Sequence, residues 1–557
     1  MLTNARPNHS PTQLPTPSPP SDFCGVFRSD ALARDLYAEC AGIARVVPRA
    51  VAVPADADDL GRLVRWARQE GLTLIPRGSG SGMAGGALGD GVIVDCSRFT
   101  TIGPINVSGR RVRVGTGALR GDIDRAARAE GLTFPVDPSS GAFCTIGGMI
   151  AANAAGARSL RYGATRPWVA GVRCVFDDGS VAWVHRDEPL PLHVPAVARL
   201  VEALATLAAD PPTHRWRRPG VRKDSSGYAI GDATATEGHL VDLLVGSEGT
   251  LACFVEAELL LASVPFATAS LLASFPSLEA STVCATGAVA AGAGACELLD
   301  RTFLDVAARA APTGVAAEAE AVLLIAVEAS SDGELAVAVS QLSALCSHAG
   351  ALQVTTAHDA EAEHALWALR HAVSPMLSRL APRVRSMQFI EDGCVPPERF
   401  PDYVRGVRAA LAATGITGVI FGHAGDAHAH VNPLVDVTQP GWRERMHSLL
   451  VRVTELTAQL GGTMAGEHGD GRLRAALADR VWDAGSRAAF AMVKHAADPH
   501  GVLNRGCKLA VDERAPGLLP TEIKYDPEAA PLDPRARAAL DDIERLKKWD
   551  RYRLSAV

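Results

Sequence analysis

No C-x-x-C pair occurs in the 557 residues; eleven cysteines are scattered singly from Cys24 to Cys507. This spacing excludes an iron–sulfur cluster or zinc ribbon built within the chain and reads instead as buried thiols in a reducing compartment. No run approaches the ~18 uninterrupted apolar residues of a spanning helix. Basic excess is missing too: the formal charge is −7, so there is no electrostatic footprint for nucleic acid. The N-terminus through Pro19-Pro20 is rich in Pro, Ser, Thr and Asn and lacks an apolar signal core. Residues 1–22 therefore read as a disordered tail, and the cytoplasm is the expected location, with peripheral attachment to a membrane left open. What remains is ordinary soluble material, 47% hydrophobic, enough for several domains at ~150 residues each.

The most distinctive stretch is Pro76-Arg77-Gly78-Ser79-Gly80-Ser81-Gly82-Met83-Ala84-Gly85-Gly86, entered from an apolar run at Leu72–Ile75. Glycines mixed with serines let the backbone take positive φ and turn several N–H groups onto one point, a nest suited to a pyrophosphate. Gly80, Gly82 and Gly85 spell G-x-G-x-x-G, but the Rossmann reading fails. That fingerprint needs a helix at the third glycine, whereas Gly86, Gly89 and Gly91 follow here, and then the strand-like Val92–Asp95. The expected unit is strand–loop–strand.

Around it, Val51–Val53 reads as a strand. Asp58–Glu70 reads as an amphipathic helix, with Leu60, Leu63, Val64 and Ala67 on one stripe and Gly71 as its stop. Val112–Val114 is another strand, and Arg120–Glu130 another helix. A second unusual cluster runs through Pro138, Ser139, Thr145, Gly147, Gly148, Asn153, Gly156 and Arg161-Tyr162-Gly163, where small residues admit a flat ligand or another backbone. Val169–Phe176 and Val181–Val184 flank the turn Asp177-Asp178-Gly179-Ser180, a hairpin signal. Two polar loops follow, Lys223-Asp224-Ser225-Ser226-Gly227-Tyr228 and Gly246-Ser247-Glu248-Gly249-Thr250-Leu251. Beyond Pro265 the texture becomes alanine-rich helices mixed with strands. Ser277–Glu363 carries no legible chemistry, and its single His and Glu residues read as solvated helix faces.

Chemistry concentrates again at Phe421-Gly422-His423-Ala424-Gly425-Asp426-Ala427-His428-Ala429-His430-Val431-Asn432. On a strand, His428, His430 and Asn432 share a face by the period of two, and His423 on the preceding loop can fold back onto it. A second knot, Gly466-Glu467-His468-Gly469-Asp470-Gly471, places a carboxylate beside an imidazole. Two or three imidazoles plus one carboxylate suit Zn²⁺ or a similar divalent ion with an open position.

The ordered set of glycine loop, P-D-P-S-S turn, T-I-G-G-M-I-A-x-N-A-x-G, R-Y-G, K-D-x-x-G-Y and G-S-E-G-T-L resembles the FAD-binding domain of the vanillyl-alcohol oxidase/p-cresol methylhydroxylase superfamily. With F-G-H-x-G-D-x-x-x-H-x-N and G-E-H-G-D-G it is similar, more narrowly, to the D-2-hydroxyacid dehydrogenases acting on glycolate, D-lactate and D-2-hydroxyglutarate. The likeness covers about residues 40–510. It implies an α+β flavoprotein with a two-subdomain FAD domain at 23–265 and a cap domain with the metal site at 266–490. A segment at 491–512 would return to the FAD domain, leaving a charged tail at 513–557.

By that resemblance Arg77, Gly78, Ser79, Gly80, Ser81 and Gly82 would wrap the pyrophosphate. Pro138, Ser139, Gly147, Gly148, Asn153 and Gly163 would line the isoalloxazine and ribityl path, Glu248 would close the adenine side, and Asn504 and Lys508 would lie near the flavin. Ala152 stands where the family often has a second Asn. No His or Cys occupies an evident attachment position, so non-covalent FAD is expected. His423, His430 and Glu467 would hold the metal, with zinc the expected ion. Asn432 would orient substrate, and His468 would act as general base. Arg370, in Trp367-Ala368-Leu369-Arg370, and Ser374 match the segment that binds the substrate carboxylate. His428, where the family often has Asn, is an extra ligand or a neighbour.

One departure concerns Phe389-Ile390-Glu391-Asp392-Gly393-Cys394-Val395-Pro396, which lacks the lysine that reads a distal carboxylate. Arg383 or Arg385 would have to substitute, and Glu391 would repel a dianion. This variant resembles a subgroup fused to a C-terminal iron–sulfur domain, whose cysteines this chain lacks. The expected acceptor is therefore separate: a quinone, an electron-transfer protein or an iron–sulfur subunit. The expected reaction is oxidation of a small D-2-hydroxyacid to the 2-oxoacid. The rivals are a non-redox transferase like alkylglycerone-phosphate synthase and a flavin subunit of a larger dehydrogenase. The closing helical stretch Arg535–Lys548 reads as solvated or as a partner dock.

Overall fold

The computed structural model describes residues 16–557 except 210–215, 236–237, 308–313, 358, 378–382, 512–521, 547–548, 550–552 and 557, with backbone alone at 360, 371–376 and 556. Much of the expected N-terminal tail, 1–15, lies outside the described residues. The chain begins with β1 (Val26–Arg28) and α1 (Ala31–Leu36), whose N-cap Asp30 accepts from Ala33 N–H. The strand β2 (Ala50–Val53) leads to α2 (Ala57–Gln69), where Leu60, Leu63, Val64 and Ala67 are buried as their spacing requires. Asp56 caps that helix by accepting from Asp59 N–H. Then β3 (Leu74–Arg77) enters the glycine loop and β4 (Val92–Asp95) leaves it. The strands lie in the order β1-β2-β4-β3, with β4 parallel to both β2 and β3. The glycine loop is thus a crossover between parallel neighbours, and no helix opens at its third glycine.

A second subdomain is built from β5 (Arg111–Gly115), α3 (Arg120–Arg128), α4 (Ile146–Ala152), β6 (Val169–Val175), β7 (Val181–His185), α5 (Pro195–Ala209) and β8 (Cys253–Leu260). Its antiparallel sheet has the order β5-β8-β6-β7, and the predicted hairpin turns at Gly179.

The cap runs through β9 (Ala267–Phe275), α6 (Leu278–Ala290), β10 (Ala295–Asp300), α7 (Arg301–Ala307), β11 (Ala321–Ala329), α8 (Asp332–His348), β12 (Gln353–Thr356), α9 (Ala360–Leu377), β13 (Val384–Ser386), α10 (Phe400–Thr414), β14 (Thr417–His423), β15 (His428–Asp436) and α11 (Trp442–Gln459). Its antiparallel sheet is ordered β12-β9-β11-β10-β14-β15-β13, and Gly393–Cys394 also pairs with β15. Buried apolar side chains from this sheet, α6, α8, α10 and α11 form one continuous core.

One helix spans the boundary expected at 490/491. A boundary at 490/491 would cut α12 (Ala484–Ala497), which packs as a unit against α5. Leu503 then bridges in parallel to Leu74 beside the start of the glycine loop. The charged tail is also corrected. Its helix α13 (Pro534–Leu546) packs on α1, burying Ala536, Leu540 and Ile543, and Arg537 pairs with Glu39 at 2.9 Å. An apolar stripe at helical spacing inside a charged segment is core-forming, so this tail belongs to the FAD domain.

Candidate active site

β14 and β15 form the hairpin that carries the histidines. Phe421 pairs with His430 and Val419 with Asn432, so His428, His430 and Asn432 alternate onto one face. Ala424–Asp426 is one 3-10 turn, and Ala427 takes a left-handed φ of 56° to restart the strand. His423 is the last residue of β14 rather than part of a loop, and it sits directly opposite Glu297 of β10.

His423 Nε2, His430 Nε2 and Glu467 Oε1 make a triangle with all three sides 3.3 Å. Each outer nitrogen is already used: His423 Nδ1–H donates to Glu297 Oε1 at 2.6 Å, and His430 Nδ1–H donates to the Glu391 carbonyl at 2.8 Å. With those tautomers, three lone pairs point at one another in a buried space, an arrangement that calls for positive charge at its centre. The sides match the ~3.3 Å edge of a tetrahedron around an ion with ~2.0–2.1 Å bonds. These residues therefore fit a divalent cation. Burial lowers the His423 pKa, but Glu297 together with Glu467 holds the imidazole above its ordinary value, so the surroundings favour positive charge here. Burial would raise Glu467, but Lys223 and His423 hold it well below the usual carboxylate range.

His468, half-buried, stacks on His430 with ring centroids 5.4 Å apart and an interplanar angle of 14°. Its Nδ1 lies 3.3 Å from Glu391 Oε1. Burial alone would lower it, but Asp392 and Glu391 hold it up at about 9. The buried Asp392 knits the site together. It accepts from His428 Nε2–H at 2.9 Å, Glu467 N–H at 3.1 Å and His468 N–H at 2.9 Å, and it pairs with Arg474 at 3.3 Å. His428 spends Nε2 on Asp392, while its buried Nδ1 has no hydrogen-bond partner, and the residue clusters with His423, His430 and Glu467 closely enough to share an ion; burial drives its pKa down to about 3. Gly466 is required by proximity, since a Cβ there would stand 2.8 Å from His428 Nε2.

Several expectations change. Glu391 is not a free repelling charge, because it is ion-paired with Arg474. Arg383 is exposed beside Asp436, and Arg385 lies over the Tyr525 ring, so both sit at the far end of β15 from His430. Arg370 is buried, donates to Glu297 Oε2 at 2.8 Å and lies 4.8 Å over the Phe421 ring. Ser374 falls where only the backbone of α9 is described. Glu297, assigned with its neighbours to solvated faces, is fully buried and touches both Arg370 and His423. Lys223 was also missed as a charge; its Nζ is buried 3.0 Å from Glu467 Oε2 and 3.6 Å from Asp426 Oδ2. The apolar run Ala-Cys-Glu-Leu-Leu, buried at every position, was the available signal for Glu297, because a lone acid inside an apolar strand needs a cationic partner.

The glycine loop meets the description of an anion cradle. Among the described residues, no backbone N–H from Gly78 to Gly82 donates to a protein acceptor, and Gly80 has φ 75°. A Cβ on Gly78 would lie 2.1 Å from Thr145 Oγ1, so this loop presses against the start of α4, which carries Gly147 and Gly148. Asn153 ends α4 in the left-handed region and accepts from Arg166 N–H at 2.9 Å. Gly163 has φ 68°, Pro138 is half-buried, and Ser139 is exposed. The loop therefore fits the pyrophosphate of FAD through backbone groups. Arg77 takes a different role: its guanidinium is buried and donates to the Tyr37, Glu39 and Ala87 carbonyls. Ser79 and Ser81 hydroxyls are 3.3 Å apart, and Gly82 is open to solvent. Glu248 joins the FAD domain to the cap loop at Asp470 and Gly471, and Asn504 ties the returning segment to the glycine loop. Glu248 accepts from Asp470 N–H, Gly471 N–H and Lys508 Nζ at 2.8, 2.9 and 3.0 Å. Asn504 donates to the Gly86 and Glu248 carbonyls.

Residues 48–185 match the FAD binding domain family, and 264–507 match the C-terminal domain of FAD linked oxidases. A glycolate oxidase subunit GlcD of Bacillus subtilis (strain 168) is 29% identical over 475 residues, 84% of this chain and 90% of the relative. A D-2-hydroxyglutarate dehydrogenase of Escherichia coli (strain K12) is 30% identical over 496 residues, 83% of this chain and 48% of the relative; the chain spans about half that protein's length. In fold, the chain is similar to 4-ethylphenol oxidase from Gulosibacter chungangensis at TM-score 0.64, 14% identity, 88% of this chain and 95% of that one. It is also similar to alkyldihydroxyacetonephosphate synthase at TM-score 0.60, 14% identity, 86% and 82%. The chain is a two-domain FAD-binding oxidoreductase. It belongs to the FAD-linked oxidases, in the group that holds these hydroxyacid-oxidising relatives. Among the described residues no helix is long and apolar enough to cross a membrane.

Proposed function

We propose that the protein oxidises a D-2-hydroxyacid to the 2-oxoacid, with non-covalent FAD, a divalent cation of which zinc is the first candidate, and a separate electron acceptor. The observation that carries this reading is the 3.3 Å triangle of His423 Nε2, His430 Nε2 and Glu467 Oε1. When bound, FAD supplies the hydride acceptor and the cation a Lewis acid for the substrate oxygens. Arg370 holds the α-carboxylate, its orientation fixed by Glu297 and the Phe421 face. Asn432, buried two residues beyond His430 on the same strand face, orients the substrate.

His468 exchanges the hydroxyl proton at a ring nitrogen. The Glu391–Arg474 pair and Asp392 keep that ring fixed, and its stacking on His430 sets its plane. Lys223 compensates Glu467, and the two domains together exclude water from the buried triangle.

The separate acceptor agrees with the GlcD relative's being named a glycolate oxidase subunit. That acceptor is a quinone, an electron-transfer protein or an iron–sulfur partner, and the expected place of work is the cytoplasm. The transferase reading rests on a likeness of fold alone at 14% identity.

The test is a visible spectrum of the protein loaded with FAD and Zn²⁺, repeated without oxygen after adding a panel of D- and L-2-hydroxyacids. Bleaching by one D-acid supports the reading and names the substrate; flavin bands that never bleach with any acid overturn it.

A further inference from the structure

Behind the histidine hairpin, two thiols from different helices meet. Cys284 of α6 and Cys346 of α8 are buried with their sulfurs 3.7 Å apart, Cys284 Sγ–H donating to Cys346 Sγ. These helices pack on each other and on the same sheet. We propose that Cys284 and Cys346 form a peroxide-sensitive dithiol that closes to a disulfide, a modification site in the cap separate from the hydroxyacid chemistry.

The sulfurs already touch at van der Waals distance, and a bond of ~2.05 Å needs them to approach by only about 1.7 Å. The donated hydrogen bond from Cys284 lowers Cys346 and makes it the attacking sulfur.

Hydrogen peroxide is the oxidant. The Cys346 thiolate attacks one peroxide oxygen, the O–O bond breaks, and the sulfur becomes a sulfenic acid while the first water leaves. Cys284 sulfur then attacks the sulfenic sulfur; the S–S bond forms, the S–O bond breaks, and the second water leaves. Two thiols and one hydrogen peroxide give one disulfide and two waters.

The position matters because α6 also packs against the Ala424–Asp426 turn that joins His423 to His428. Cys296, beside Glu297, fills the same core, and a Cβ on Gly425 would stand 3.2 Å from its Cβ. Closing the bond therefore ties α8 to the helix that supports the histidine turn.

The full-length protein is treated with dilute hydrogen peroxide under native conditions, denatured with an alkylating agent, and digested without reductant. The expected result is a linked Cys284–Cys346 peptide lighter by two hydrogens than the two separate peptides, reversed by dithiothreitol. A rise in unfolding midpoint of about 3 °C is expected for a loop of this length. Cys284→Ser and Cys346→Ser should each abolish both the linked peptide and the rise; Cys284→Ala serves where a buried hydroxyl disturbs folding. Recovery of both cysteines in alkylated form from the peroxide-treated native protein overturns the proposal, as does a linked peptide that pairs either one with a different cysteine.

Discussion

Replacing Glu297 by glutamine tests the central electrostatic claim with the smallest change of shape. The native carboxylate accepts from Arg370 Nε at 2.8 Å and from His423 Nδ1 at 2.6 Å, in a site with no solvent exposure. Burial would raise its pKa, but His423 and Arg370 hold it well below the carboxylate range, so it is ionised when it performs this role. An amide has one oxygen and one NH₂ group, so it can accept from one of these donors and must turn N–H groups toward the other. One charge-assisted hydrogen bond, worth about 1.5–3 kcal/mol, is lost. The Arg370 guanidinium also stays buried without its counter-charge, and breaking a buried pair costs about 3–5 kcal/mol. The two figures overlap, so a loss of about 3 kcal/mol is expected for the cap. Removing the group that aims a metal-binding imidazole costs ~10–100-fold in ion affinity. Denaturant unfolding followed by cap-domain fluorescence measures the first quantity, and competition for Zn²⁺ against a coloured chelator measures the second. A Glu297→Gln protein that binds Zn²⁺ as tightly as the parent would refute the claim that this carboxylate orients His423.

The remaining predictions address the other parts of the site. His468→Asn should keep the flavin spectrum and lose substrate bleaching by at least ~100-fold, the low end of what general acid–base catalysis supplies; anaerobic stopped-flow checks it, and near-normal bleaching would remove His468 from proton transfer. Gly78→Ala places a Cβ 2.1 Å from Thr145 Oγ1, so the protein should purify with its FAD content strongly reduced, read from the ratio of flavin to protein absorbance. Chelator dialysis should abolish bleaching while leaving FAD bound, with Zn²⁺ restoring it; full activity after metal removal, verified by elemental analysis, would contradict the triangle's role. Asp300 is pushed up to about 7 by burial, with backbone N–H groups and Arg408 opposing. Its folded pKa lies above the unfolded one, so its stabilising contribution is full below about pH 4 and is lost as pH rises through about 7. Asp300→Asn, which can still cap Phe303 N–H, should flatten that slope and stabilise the cap at pH 8, measured by thermal unfolding across pH.

What the sequence made legible follows from the range over which each physical cause acts. Positive φ in the glycine loop, the stripe of Leu60, Leu63, Val64 and Ala67, and the two-residue alternation of His428, His430 and Asn432 are local. Each is written in consecutive residues and each is present in the structure. The charge balance of the site is not local. Glu297 precedes His423 by 126 residues and Lys223 precedes Glu467 by 244, and each partner alone looks like ordinary surface charge. For the same reason Glu391 read as a repelling charge: its neutralising partner, Arg474, comes 83 residues later. Arg77 and Glu248 make the complementary point. Their position among cofactor-like motifs suggested ligand contact, yet both side chains are buried braces. Arg77 holds the strand end that starts the glycine loop, and Glu248 holds the loop that presents Glu467 and His468. A motif fixes which backbone must be held near a ligand, while the side chains inside it serve as often to hold that backbone as to touch the ligand. Sequence reading therefore finds the cradle and the histidines sooner than the carboxylates and cations that keep them in register.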